Sequence, residues 1–205
     1  MIVALPCISF SYPERQIIMK YGFLTYPEFI DNFYVRHRTR KFAYFRRLLV
    51  KYRDLIRFAV LPDYDYELME RLVVWDSRIQ WLMPIHLKRE IKIADKLGVK
   101  WIAMPYRRAW RDYDVNWFLD QPYSHWLLGF WDEGNPHIIL RFDGFDTTIP
   151  EYYSGKCGKI WITWGKAVKP KTPMKTIEKF EINVRNLKKA IENLLKQEVI
   201  FNAET

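Results

Sequence analysis

The feature that most narrows what this chain can fold into is the repeated change of period in its apolar pattern. Short runs, most of them apolar on both faces, recur at 2–9, 57–61, 80–85, 100–104, 126–130, 145–148 and 159–163, each ending in polar or turn-forming residues. Between them, apolar residues fall at helical spacing over 27–52 (with a break near Arg38), 66–74, 88–97, 115–119 and 176–199. Such alternation builds a parallel sheet, because strands buried on both faces need helices to cover them and crossovers to join them. Seven strands fit a small or trimmed (β/α)8 TIM-type barrel with a long C-terminal helix, or an open doubly wound sheet. No glycine-rich phosphate loop follows any strand, which favours the barrel.

Local punctuation agrees with this reading. Gly98 is placed to stop the helix before the strand at 100–104. Asn135 can cap a short helix with Pro136 at its first position, and Gly144 can take the position just past its end. With 205 residues and no internal repeat or Gly/Ser-rich linker, the chain is expected to form one domain, 1–205.

Composition excludes several classes. Apolar residues at 49% and aromatics at 17% are too abundant for a disordered chain. No apolar run reaches the roughly 18 residues a membrane span needs, and the opening stretch lacks a basic n-region, so a cytoplasmic protein is expected. Two cysteines, Cys7 and Cys157, are too few for a disulfide framework or a four-cysteine zinc site. No cofactor or metal is called for.

The net charge of +9 is uneven. From Arg36 to Arg57 nine Lys/Arg stand against one acid, and from Lys156 to Thr205 eleven against five. Residues 58–155 hold eleven basic and fifteen acidic groups. An acidic centre between basic flanks suits a polyanion gripped at the sides while carboxylates work within. Two solvated helical faces would give the same pattern. The candidate nucleic-acid contacts are Arg36, Arg38, Arg40, Lys41, Arg46 and Arg47, interleaved with Phe42, Tyr44 and Phe45, and Lys169 and Lys171 of a proline-flanked loop.

In a parallel α/β fold, working residues gather at the C-terminal ends of the strands. Standing there in order are Asp63 after Pro62, His86 after Pro84-Ile85, Tyr106 after Met104-Pro105, Gly129-Phe130-Trp131, and Asp146-Thr147-Thr148-Ile149-Pro150. This order resembles that of the guanine transglycosylases, which include the tRNA enzymes and viral relatives that insert 7-deazaguanines into DNA. Those proteins are (β/α)8 barrels whose later strands end in a base-reading aspartate, three glycine turns and a nucleophilic aspartate in an Asp-x-x-Leu-Pro segment. The likeness spans about residues 57–165 and is best at Asp146-x-x-Ile149-Pro150. The family's Asp-Ser-Gly-Gly-Phe-Gln segment has no counterpart; the nearest text, Cys7-Ile8-Ser9-Phe10, lacks the acid.

The resemblance implies a pentosyltransferase that exchanges guanine or 7-deazaguanine into DNA or tRNA, with the free base as second substrate. Base exchange at an intact sugar needs a carboxylate near C1′ that forms a covalent intermediate, the role of Asp146. Asp63 can accept two side-by-side hydrogen bonds from guanine, and His86 is a candidate for proton transfer. Tyr64, Tyr106 and Trp131, with Gly129, offer the wall of a base pocket. Plainer readings stand beside these. Asp146 and Asp63 can be helix or turn caps, and His86, His125, His137 and the tryptophans can be structural. Two other functions fit the same residues: a nucleic-acid-binding protein of this fold without catalysis, and a metal-dependent nuclease using Asp63, Asp132, Glu133 and Asp143.

Overall fold

The computed structural model describes residues 1–6, 11–32, 42–131 and 135–203. Eight parallel strands form a nearly closed TIM-type barrel: β1 (Ile2–Leu5), β2 (Leu24–Thr25), β3 (Phe29–Ile30), β4 (Phe58–Val60), β5 (Gln80–Pro84), β6 (Trp101–Pro105), β7 (Ser124–Phe130) and β8 (Gly144–Thr147). Their hydrogen-bonded order is β2-β1-β8-β7-β6-β5-β4-β3. Six of the seven expected strands are β1 and β4 to β8.

The barrel is trimmed at β2 and β3. Only Tyr26, Pro27 and Glu28 separate them, and both run in the common direction, β2 beside β1 and β3 beside β4. Residues 24–30 are thus one path through the wall, pairing with one neighbour first and the other afterwards. The helical spacing read from residue 27 is overruled there. The Glu28 carbonyl accepts from the amides of Arg57 and Phe58, and this pairing with β4 fixes an extended chain.

Helices cover the outside: α1 (Tyr12–Lys20), α2 (Phe42–Lys51), α3 (Tyr66–Trp75), α4 (Ile91–Leu97) and the short α5 (Val115–Leu119). Three of the starts have a local cause in a capping carboxylate. Glu14 accepts from the Ser11 amide and hydroxyl at α1, Asp65 accepts from Leu68 N at α3, and Asp114 from Trp117 N at α5. Asp65, rather than Asp63, is therefore the cap of the helix at Tyr66. Gly98 ends α4 at φ 64°, as expected.

Asn135 and Pro136 do open a short helix, a 3-10 turn over Pro136–Arg141. Gly144, however, is not its cap. It begins β8 and is buried against the Trp126 indole. Beyond β8, α6 (Ile149–Glu151) continues as a π-helical turn, Tyr152–Lys156. The run at 159–163 is not a barrel strand: β9 (Ile160–Thr163) pairs antiparallel with β10 (Lys166–Val168) in a separate hairpin. Its other edge is capped by side chains of α7 (Thr176–Ala203): Asn183 accepts from Trp161 N and Asn186 donates to Trp161 O. Among the described residues no helix is long and apolar enough to cross a membrane.

Two apolar clusters result. The larger lies between strands and helices; the smaller fills the barrel with Ala4, Leu24, Phe29, Phe58, Val60, Leu82, Ala103 and Trp126. Successive strand residues alternate between these clusters, as the pleat requires. The filling is aromatic: Trp126 stacks on Phe29 at 5.2 Å and meets Phe58 and Trp101 at 5.4 and 6.2 Å. Trp126 fits because Gly144, its register partner on β8, has no side chain. A Cβ at Gly144 would lie 2.5 Å from the indole.

Candidate active site at the barrel mouth

Asp146 stands on β8, near its C-terminal end, with its carboxylate buried on the barrel side. The Trp126 indole N–H donates to one oxygen at 3.0 Å, and the Gly129 amide to the other at 3.1 Å. The second donor depends on a bulge in β7. The register with β8 slips between Leu127 and Phe130, and Gly129 adopts φ 67°, which turns its N–H out of the ladder onto the carboxylate.

Burial is the main influence on Asp146. It raises the carboxyl from its ordinary 3.8 to about 7, against the two hydrogen bonds, and the negative charge of Asp31 pushes the same way. Asp31 directly follows β3 and is half-buried. Two carboxylates from separate strand ends thus converge at the mouth, and one of them changes protonation near neutrality.

A second group occupies the ends of β4 and β5. His86 and Asp63 are both buried, with His86 Nε2 3.2 Å from Asp63 Oδ1. The other ring nitrogen lies 3.0 Å from the Trp110 carbonyl. Both partners are acceptors, so the ring satisfies them together only as an imidazolium. Burial pulls the His86 pKa down, but the hydrogen bond and charge of Asp63 outweigh it, and the pKa is raised above 6.5. Tyr64 stacks on the ring at 4.8 Å, held at φ 60° in the left-handed region. Glu90 fixes the turn by accepting from the amides of His86 and Leu87, at 2.6 and 3.0 Å, and from the Tyr66 hydroxyl at 2.8 Å. The second oxygen of Asp63, Oδ2, is buried with no hydrogen-bond partner among the described residues.

The other expected site residues are distributed as follows. Tyr106 follows β6 and packs edge-on against Phe130 at 5.1 Å. Trp131 follows β7 beside Tyr152 and Tyr153. Arg46 and Arg47 are exposed on α2, which carries no acid, and with Phe42, Ala43, Val50 and Lys51 they line a shallow groove. Lys169 and Lys171 are exposed beyond β10. Arg36, Arg38, Arg40, Lys41, Asp132, Glu133 and Cys7 lie outside the described residues.

Of the acids of the nuclease reading, the two that lie among the described residues, Asp63 and Asp143, do not converge. Asp143 precedes β8 and accepts from His125 N at the N-terminal end of β7, whereas Asp63 follows β4 at the opposite mouth. Among the described residues no group of three or more His, Cys, Asp or Glu is arranged to hold a metal. His125 is structural, with its ring against the Gln121 carbonyl and its pKa lowered by burial.

Sequence reasoning missed Asp31 and the Trp126–Gly144 pair. Asp31 follows a strand of two residues, which leaves no periodic signal. Trp126 and Gly144 each match an expected role elsewhere, core filler and helix end, and only the strand register joins them.

No protein-family model matches the chain. It is 32% identical over 136 residues to the uncharacterized protein ORF192 of Acidianus two-tailed virus, an alignment covering 63% of this chain and 70% of that protein. The chain belongs to that viral protein's family. Among solved structures, the native KDPGal structure superposes with a TM-score of 0.52 over 95% of both chains at 9% identity. At that identity the likeness is one of fold, a TIM-type barrel.

Proposed function

We propose that this protein is a barrel enzyme that breaks and remakes an N-glycosidic bond in DNA or tRNA, exchanging guanine or a 7-deazaguanine base, with Asp146 as the reacting carboxylate. The observation that carries the reading is Asp146 itself: a buried carboxyl at the end of a barrel strand, gripped by two N–H donors and titrating near 7 beside Asp31. In its ionised form Asp146 attacks C1′ as the bond to the base breaks. The base leaves with the electron pair and takes a proton from solvent, and an aspartyl–sugar ester remains. A nitrogen of the incoming base then attacks C1′, releases the carboxylate and loses its proton to solvent. The negative charge of Asp31 favours the oxocarbenium-like centre in both steps. The basic face of α2 and Lys169 and Lys171 supply phosphate contacts.

Asp63, with one oxygen on His86 and the other without a partner among the described residues, is the group that recognises N–H donors on the base. His86 holds Asp63 in place; with both ring nitrogens engaged, it is a positioning residue in this scheme rather than a proton carrier. That same engagement favours a second reading, a nucleic-acid-binding protein without catalysis. Incubation with labelled guanine or 7-deazaguanine and either tRNA or duplex DNA separates the two. Incorporation by the wild type that is lost in Asp146→Asn supports exchange. Salt-sensitive binding with no incorporation by the wild type refutes it and leaves the binding reading.

A further inference from the structure

We infer that Trp131, Tyr152 and Tyr153 form a stacking platform for an unpaired nucleobase next to the reacting nucleotide, with Lys156 set against the adjoining phosphate. The inference rests on the nucleic-acid reading above and adds a subsite to it.

The three rings are arranged as two walls and a floor. Trp131 and Tyr153 are nearly parallel, 9° apart with centroids at 6.4 Å, while Tyr152 stands perpendicular to both, at 4.6 and 5.3 Å. All three are half-buried, so each keeps ring surface at the solvent. The Lys156 ammonium lies 6.0 Å from the Tyr152 ring centroid, and its residue is exposed.

The supports are rigid and shared with the site. Trp131 directly follows the bulged strand whose Gly129 amide holds Asp146. Tyr152 and Tyr153 lie in the π-helical turn that follows β8, and turns of this kind recur at functional sites. The two elements are tied together by Thr147, whose hydroxyl donates to Phe130 O at 2.9 Å and accepts from Ile149 N at 3.2 Å. Ser154 donates to Pro150 O at 2.7 Å, and Tyr152 N and Lys159 N donate to Thr148 O and Tyr153 O at 2.9 and 2.7 Å. The backbone under the rings is therefore fixed while the rings are partly uncovered.

Aromatic filler of a core is enclosed on all sides, as Phe130 and Phe145 are here. A half-exposed aromatic group on a braced turn at a barrel mouth suits a ligand with a π-face, and every nucleobase has one. Its position beyond the ends of β7 and β8, outward from Asp146, assigns it to a neighbouring base rather than to the reacting one, whose recognition falls to Asp63.

The test is fluorescence anisotropy with a labelled single-stranded oligodeoxynucleotide and the same strand carrying one abasic site, moved along its length. Wild-type protein should discriminate against an abasic site at one position. Trp131→Ala should bind roughly 5- to 100-fold more weakly and lose that discrimination, with the slope of affinity on salt unchanged. Trp131→Phe, which keeps a stacking face, should retain most of both. Lys156→Gln, a surface change, should lower the salt slope by about one. Should Trp131→Ala fail to fold, Tyr152→Leu decides, since it keeps the apolar bulk and removes the floor. Variants that bind and discriminate like the wild type overturn the platform. Discrimination without base exchange upholds the platform and overturns the proposed activity, whereas exchange without discrimination, or no oligonucleotide binding, overturns the platform alone.

Discussion

Replacing Asp146 by asparagine should remove activity yet make the protein more stable at alkaline pH, and the size of the effect follows from the burial of the carboxyl. Its pKa of about 7 in the folded protein compares with an ordinary 3.8. Below about pH 4 both folded and unfolded chains hold the proton, and the carboxyl carries no penalty. Between about 4 and 7 the unfolded chain ionises while the folded one stays protonated, so folding stability falls as pH rises, by up to about 1.4 kcal/mol per pH unit. Above 7 the loss is complete, about 4 kcal/mol in all. Asparagine cannot ionise and escapes this loss. It brings a fixed cost instead, because its single oxygen can face the Trp126 N–H or the Gly129 N–H but not both. A buried donor left facing an amide nitrogen costs about 1–3 kcal/mol at any pH. The variant should therefore be less stable than wild type near pH 4 and more stable by about 1–3 kcal/mol near pH 8. Urea unfolding of both proteins across this range measures the difference. A constant difference at all pH values would mean that Asp146 titrates normally, and the reasoning would fail.

Other consequences can be checked alongside. Gly144→Ala drives a methyl group into the enclosed Trp126 indole and should cost about 1–3 kcal/mol, with loss of exchange activity as the Asp146 donor moves; stability and activity both at wild-type levels would refute the packing argument. In Asp63→Asn burial acts on His86 with its main opponent gone, so the ring pKa should drop from above 6.5 to below it, read from its NMR titration. The His86–Asp63 pair stabilises the fold below about pH 6.5, and that contribution should fade as pH rises through the raised His86 pKa. Asp76, buried beneath β5, accepts from Arg53 and Arg78, whose hydrogen bonds hold its carboxyl far below the usual range. Asp76→Ala should cost roughly 2–4 kcal/mol at neutral pH. The wild-type advantage should disappear only well below pH 4, where Asp76 finally protonates.

The strands with four or more apolar residues in a row were legible because burial on both faces leaves a continuous run. β2 and β3 were not, since each spans two residues and Pro27 lies between them. The hairpin strand β9 has a barrel-like composition, Ile160-Trp161-Ile162, but Trp161 is buried while Ile162 and Thr163 are exposed. That difference comes from α7 covering one side, which residue order does not encode. Asp146 stood out through its place before Thr147-Thr148-Ile149-Pro150, yet its protonation near neutrality comes from burial in the closed barrel, aided by Asp31 and opposed by the N–H groups of Trp126 and Gly129, none of which neighbours it in the sequence. His86 and Asp63 were each visible as strand-end residues; that they hydrogen-bond to each other emerges only once β4 and β5 lie side by side.

The most direct measurement is a search for the covalent intermediate: wild-type protein incubated with labelled DNA or tRNA, denatured, resolved by electrophoresis, and the modified peptide mapped. The proposed chemistry predicts a protein–nucleic acid adduct with an intact phosphate backbone, attached at Asp146 and absent from Asp146→Asn. No adduct from the wild type, or one that persists in Asp146→Asn, would contradict it.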